Sequence, residues 1–242
     1  MNVVLRLYWL ASILLMLCAR SVAAAPMTVP DALIKDASVK ILAALKDAGS
    51  YYDNDPERLH QQLDTLLAPI VNYEAIAKSV MAAHYKTATD AQRKRFVGVF
   101  RAGLVKSYAR AMLTYANSKM ELQPTEASTT QPDRASVRMQ VTSTDGNVYP
   151  LEYTMVKDAD AAWRIRNVIV YGINLGLQYR NIFDSEMMKS EIKGNIDKVI
   201  DGWTSVATAS AVTGRKGSAK GATAPAGGAA KPQTKSAPEK TK

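Results

Sequence analysis

Between residues 30 and 116 the large apolar side chains recur at intervals of three and four, whereas between residues 119 and 171 they recur at every second position. The first spacing lines one face of a helix and the second lines one face of a sheet. A first helix is predicted from about Pro30 to Ala48, with Leu33, Ala37, Ile41 and Leu45 aligned. A second opens at Asp55-Pro56, a capping residue followed by proline at the first helical position, and turns Leu59, Leu63, Leu66 and Leu67 inward before Pro69 ends it. A third, from Asn72 to about Ala83, buries Ile76, Ala77 and Val80. The fourth is the best defined, because Thr89-Asp90-Ala91-Gln92 is a capping box and Phe96, Phe100, Leu104, Tyr108, Met112 and Tyr115 follow in one stripe. At about 1.5 Å per residue it reaches roughly 40 Å, enough to cross a whole sheet.

Four strands follow, at about 119–124, 135–143, 147–156 and 162–171. In the second, Val137, Met139 and Val141 alternate with Arg138, Gln140 and Thr142; in the third, Leu151, Tyr153 and Met155 alternate with Glu152 and Thr154. One face is packed and the other is wet. Asp145-Gly146 supplies the hairpin turn between them. In the fourth strand Trp163 and Ile165 share a face, and Val168 and Val170 join them only if a bulge near Asn167 shifts the phase. Helices, then strands, then helices again make an α+β domain, and no internal repeat is visible. The fourth-helix stripe and the apolar sheet face are expected to oppose each other.

The ends change the picture. Arg6 precedes an apolar run from Leu7 to Cys18, followed by Ser21-Val22-Ala23-Ala24-Ala25, the layout of a cleavable secretory leader over residues 1–24. The run is shorter than the roughly 20 residues that span a bilayer. A rival reading, acylation at Cys18, requires a small residue before the cysteine, where Leu17 stands. Cleavage after Ala24 removes the one cysteine and with it any disulfide or thiolate chemistry. From about Ser205 large apolar residues vanish, so residues 207–242 are expected to form a disordered basic tail and residues 25–206 the folded domain.

The net charge of +9 is a property of those ends. Setting aside Arg6, Arg20 and the seven basic and one acidic residues from Gly214 onward, the 31 basic and 22 acidic residues of the chain fall to 22 and 21. A near-neutral body offers no phosphate-neutralising surface, so no nucleic-acid partner is expected. Catalytic chemistry is equally sparse. Of the two histidines, His60 falls on the polar side of its helix and His84 at a helix end, while Asp53, Asp55 and Glu57 cluster where capping already accounts for them. No Gly-rich phosphate loop, His-Glu-x-x-His or Gly-x-Ser-x-Gly occurs. The body is instead rich in adaptable apolar side chains, among them Met81, Met112, Met120, Met139, Met155, Met187 and Met188, which suit either a pocket for mobile hydrocarbon or a gap-filled core.

Read in order, Pro69-Ile70-Val71-Asn72-Tyr73, Val80-Met81, His84-Tyr85-Lys86-Thr87-Ala88-Thr89 and Gln92-Arg93, then Phe96 to Tyr115, Trp163-Arg164-Ile165, Gly172-Ile173-Asn174-Leu175, Gln178 to Phe183 and Gly194 to Ile200 resemble the periplasmic carrier family of the Mla pathway, the toluene-tolerance family that maintains outer-membrane lipid asymmetry. That family tends to have acidic residues where Asn167 and Tyr171 stand and serine where Asn174 stands.

The resemblance implies a curved antiparallel sheet packed with helices around a lipid cavity, and a non-enzymatic periplasmic protein without a cofactor, its phospholipid being cargo. The partners implied are an inner-membrane ABC transporter with its substrate-binding ring and an outer-membrane lipoprotein-porin assembly. The residues expected to line the cavity are Phe100, Leu104, Tyr108 and Met112 on the helix, with Val137, Met139, Val141, Leu151, Tyr153, Met155, Ile165, Val168 and Val170 on the sheet. The alternative is a periplasmic enzyme on a similar helix-and-sheet cone, acting on a small apolar substrate, against which the missing acid-base pair counts.

Overall fold

The structure, a computed structural model, describes residues 28–124 and 131–220, and the side chains of this chain up to residue 208. The leader and residues 221–242 of the expected tail lie outside the described residues. Helix α1, Val29–Ala48, opens on a capping box between Thr28 and Asp31, with Pro30 in its first turn. Helix α2, Pro56–Leu67, is capped by Asp55, and α3, Tyr73–Met81, by Asn72. The sequence predicts α3 to continue to Ala83, but Ala82 takes φ +48° and the chain restarts as a single turn, α4, His84–Thr87. Helix α5, Asp90–Leu113, has the expected capping box between Thr89 and Gln92.

The sheet is antiparallel and runs in chain order: β1 Lys119–Gln123, β2 Arg134–Thr142, β3 Val148–Lys157, β4 Trp163–Val170 and β5 Ile173–Asn174. Five strands are present where four were expected. The fifth exists because Tyr171 and Gly172 both take positive φ, +56° and +77°, which closes a two-residue hairpin whose twist matches the strands. The bulge is where the phase required it: Thr154 pairs with Asn167 and Met155 with Ile165, so Arg166 is the extra residue. Helices α6, Leu175–Met188, and α7, Ile196–Lys220, complete the chain. The departures noted at Asn167 and Asn174 serve α6: Asn174 Oδ1 accepts from Leu177 N at 2.9 Å, and Asn167 Oδ1 from Gly176 N at 3.0 Å.

Three apolar clusters hold these elements. An aromatic one joins α3, α5, α6 and α7 around Phe96, Phe100, Tyr179, Phe183 and Trp203. A second joins the sheet to α1 through Val137, Met139, Met155, Ile165, Ile34 and Ala37. The third packs α1, α2 and the end of α5 around Leu45, Leu59, Leu63, Val105 and Ala109.

The boundary expected at residue 207 is corrected by α7. The helix runs unbroken through that point to Lys220, and Ala207 is fully buried. Composition misleads here because the partner surface is also small: Gly103 of α5 faces Trp203 and Ala207, and Ser107 Oγ lies 3.1 Å from Thr208 Oγ1. Two helices that approach on glycine, alanine and serine bury surface without large side chains.

Candidate functional site

Cross-strand register assembles one continuous apolar face on the sheet. Leu122, Met139, Leu151 and Val170 form one row across four strands, and Val137, Tyr153 and Val168 form the next. Ala135, Met155 and Ile165 form a third, and it is the bulge at Arg166 that lets Ile165 and Val168 share this face. With Val141, which pairs with Met120 and Tyr149 in a further row, all nine sheet residues expected to line a cavity share one surface.

Coverage of that surface is uneven. Val137, Met139, Val141, Met155 and Ile165 are buried. Helix α1 lies on this part, with Ser38 Oγ 3.6 Å from Met139 Sδ and Ile34 and Ala37 in the same cluster. Leu151, Tyr153, Val168 and Val170 are only half-buried, although all four belong to the same apolar rows. Tyr153 sits among many protein atoms. Burial alone pushes its phenol up to about 12, even though the side chain keeps accessible surface.

The helical half of the expected lining is placed differently. Phe100 is buried in the aromatic cluster, with its ring 5.6 Å from that of Tyr179 and 6.1 Å from that of Trp203. Leu104 and Tyr108 pack against the same cluster, and Tyr108 accepts a 3.0 Å hydrogen bond from the Tyr179 hydroxyl, whose pKa is raised first by burial and then by Tyr108. Met112 belongs to the third cluster, beside Leu45, Leu59 and Leu63. Helix α5 thus packs mainly on α7, with α3 and α2 beside it, and none of its stripe residues packs against the buried sheet cluster. The stripe therefore does not pack directly on the buried part of the sheet, because an i, i+4 pattern marks the face that is buried and not the partner that buries it. The two surfaces are tied at one end: Tyr115, just past α5, stands edge-on to Tyr149 at 5.3 Å, and Tyr149 to Tyr171 at 5.7 Å. Leu104, Tyr108 and Met112 are half-buried, like the β3–β4 half of the sheet face.

Charged groups lie elsewhere. Asp158 collects Asn72 Nδ2 at 2.6 Å, Arg164 Nη1 at 2.9 Å and Arg166 Nη2, which ties the β3–β4 hairpin to the start of α3. Burial raises this carboxyl, but the hydrogen bonds from Arg166, Arg164 and Asn72 outweigh it and the net pKa is lowered. This hub is missed by motif reading because the asparagine that caps α3 lies far in sequence from its other members, two arginines of β4 and the aspartate of the β3–β4 turn. His84 pairs with Asp184 at 3.2 Å at the surface of the aromatic cluster. Among the described residues no group of three His, Cys, Asp or Glu is placed to hold a metal, and no helix is long and apolar enough to cross a membrane. A surface groove of about 580 Å³ runs along α6 between Leu177, Ile182 and Val206, but Asn174, Gln178, Asn181 and Glu186 also line it, and no residue of the apolar sheet face does.

The family described as MlaC protein matches residues 35–205. The chain belongs to the MlaC family. It is 36% identical over 176 residues to the toluene tolerance protein ttg2D of Pseudomonas putida, covering 72% of this chain and 79% of that one. It is 23% identical over 150 residues to the intermembrane phospholipid transport system binding protein MlaC of Haemophilus influenzae, covering 61% and 70%. Its fold is that of the phospholipid-binding protein from Ralstonia solanacearum, solved in complex with a phospholipid, with a TM-score of 0.64 at 20% identity over 75% of this chain and 97% of that one. As an MlaC family member it shares the α+β architecture that the helix and strand pattern predicts.

Proposed function

We propose that this protein is a non-enzymatic phospholipid carrier of the periplasm, taking its cargo between an inner-membrane ABC transporter with its substrate-binding ring and an outer-membrane lipoprotein-porin complex, and so maintaining outer-membrane lipid asymmetry. The observation that carries this reading is the half-buried β3–β4 part of the sheet face, wholly apolar in Leu151, Val168 and Val170 and desolvated at Tyr153. Protein side chains leave that surface partly uncovered, and hydrocarbon suits it. Leu104, Tyr108 and Met112 of α5 supply the facing wall, and α1 seals the β2 side. Membership of the MlaC family and the phospholipid named for its relatives support the same cargo.

The energetics require a carrier of this kind to deliver by docking. Two acyl chains hold roughly 30 methylenes, and at about 0.8 kcal/mol each their exposure to water costs on the order of 20 kcal/mol. Release into free solution is therefore excluded, and the lipid passes directly between bound proteins. No cofactor takes part, since nothing is chemically changed. Native mass spectrometry of the protein purified from the periplasm tests the reading: a retained phospholipid is expected, and a lipid-free protein from every preparation would overturn it.

A further inference from the structure

We infer that the Tyr153 hydroxyl donates a hydrogen bond to an ester carbonyl oxygen of the bound phospholipid, so that the site distinguishes diester from diether lipids; this rests on the carrier reading above. Tyr153 stands in the middle of the apolar face, opposite Val137 on one side and Val168 on the other, with Leu151 and Met155 before and after it on the same face. Apart from the weakly accepting thioether of Met155, none of those side chains offers an acceptor. Among the described residues the hydroxyl has no hydrogen-bond partner, and its oxygen is not sealed from a water-sized molecule either.

Tyr179 donates to Tyr108 at 3.0 Å and Tyr51 to Gln62 at 2.6 Å, whereas the buried Tyr73, like Tyr153, shows no hydroxyl partner among the described residues. Hydrocarbon filling this face would strip water from the hydroxyl, and a donor then left without an acceptor is costly, whereas phenylalanine would fill the same space without that cost. What sets Tyr153 apart is its place on the partly uncovered sheet face, where a ligand acceptor can reach the hydroxyl.

The chemistry of that acceptor is constrained by what surrounds the phenol. Burial is the sole cause that raises its pKa, and no arginine or lysine contributes. A phosphate placed there would be a desolvated anion without a counter-charge. A neutral, strongly accepting oxygen meets the need, and in a phospholipid that is an ester carbonyl. An ether-linked analogue of the same length lacks it and leaves the donor unpaired.

The test is a competition on the full chain. The protein is incubated with vesicles holding equal amounts of diester and diether phosphatidylethanolamine with matched chains, then re-isolated, and its bound lipid is quantified by mass spectrometry. The wild type is expected to take up the diester form about three- to tenfold over the diether form. Tyr153→Phe is expected to bind as much lipid in total with a ratio near one, while Tyr149→Phe, on the same strand and face, keeps the wild-type ratio. The wild-type ratio reads the hydrogen bond without any substitution, so a value near one overturns the inference even if a variant folds poorly. Preference retained in folded Tyr153→Phe also overturns it. Both of these outcomes leave the carrier reading standing, whereas uptake of neither lipid by the wild type removes the carrier reading and the inference together.

Discussion

The aromatic cluster and the β3–β4 half of the sheet face are both apolar and differ in how completely protein atoms cover them. Around Trp203, the rings of Phe96, Phe100, Tyr179 and Phe183 have centroids within 5.0 to 6.1 Å, in edge-on or tilted arrangements, and every one of these five residues is buried. On the sheet, Leu151, Val168 and Val170 keep accessible surface beside a desolvated Tyr153. Hydrophobicity alone therefore does not identify a binding surface. What separates core from cavity is whether protein atoms complete the packing.

Truncation breaks the comparison most forcefully. Trp203→Ala empties the centre of the aromatic cluster, and about 3–5 kcal/mol of stability is expected to be lost, measured by urea unfolding. Leu151→Ala on the sheet face, where packing is already incomplete, is expected to cost about 1 kcal/mol or less in lipid-free protein. Equal losses at the two positions would mean that the sheet face is an ordinary filled core.

The polar frame that holds the hairpin beside that face comes next. Asp158→Ala strips Arg164, Arg166 and Asn72 of their shared acceptor. The group is partly exposed through its arginines, so a loss of about 2 kcal/mol at neutral pH is expected. The pH dependence has a definite sign. Because the folded-state pKa lies below the unfolded value of about 3.9, the stabilisation is fully present above that value and is lost as pH falls through the folded pKa. Unfolding midpoints measured across the acid limb should therefore fall less steeply in Asp158→Ala than in the wild type. Parallel curves would show that the hub does not couple to folding.

Much of this was legible beforehand, and the exceptions share a cause. Local chemistry wrote the capping boxes at Thr89 and Gln92, the alternation in β2 and β3, and even the bulge that brings Val168 onto the face of Ile165. Each depends on neighbours along the chain or one strand away. The errors concern partners distant in sequence. Of the Phe100-to-Met112 stripe only Phe100 is buried and the rest is half-buried, and the helix packs mainly on α7, about a hundred residues later, through Phe100 and the small residues Gly103 and Ser107. Residues 207 and beyond look like tail because nothing local shows that Ala207 meets Gly103. The fifth strand is only two residues long, too short for any alternation to reveal it.

A smaller effect on stability, and a large one on cargo, is expected from filling the open region. Val168→Trp adds bulk where the face is half-buried, so bound phospholipid measured by mass spectrometry should fall while the lipid-free protein stays within about 1 kcal/mol of wild type. Overpacking a closed core costs about 1–3 kcal/mol instead. Full lipid occupancy in a folded Val168→Trp protein would place the cavity elsewhere.

The smallest expected effect probes how tightly the filled region is closed. Gly103 lies inside α5, where glycine costs roughly 0.5–1 kcal/mol relative to alanine through the backbone freedom it loses on folding. A Cβ built there would meet Trp203 Cδ1 at 3.7 Å, Ala207 Cβ at 3.8 Å and Thr204 Cα at 3.9 Å, all ordinary van der Waals contacts. The crossing of α5 and α7 is close, but it leaves room for a methyl group. Gly103→Ala is therefore expected to raise stability by about 0.5–1 kcal/mol, seen as a higher urea midpoint with an unchanged slope. Phospholipid occupancy should not change, because this contact belongs to the aromatic cluster and not to the sheet face. A drop in stability would show that the helices are already at their closest approach. Lost occupancy with stability intact would show instead that α7 must shift against α5 for cargo to enter, and the two apolar regions would then be one mechanical unit.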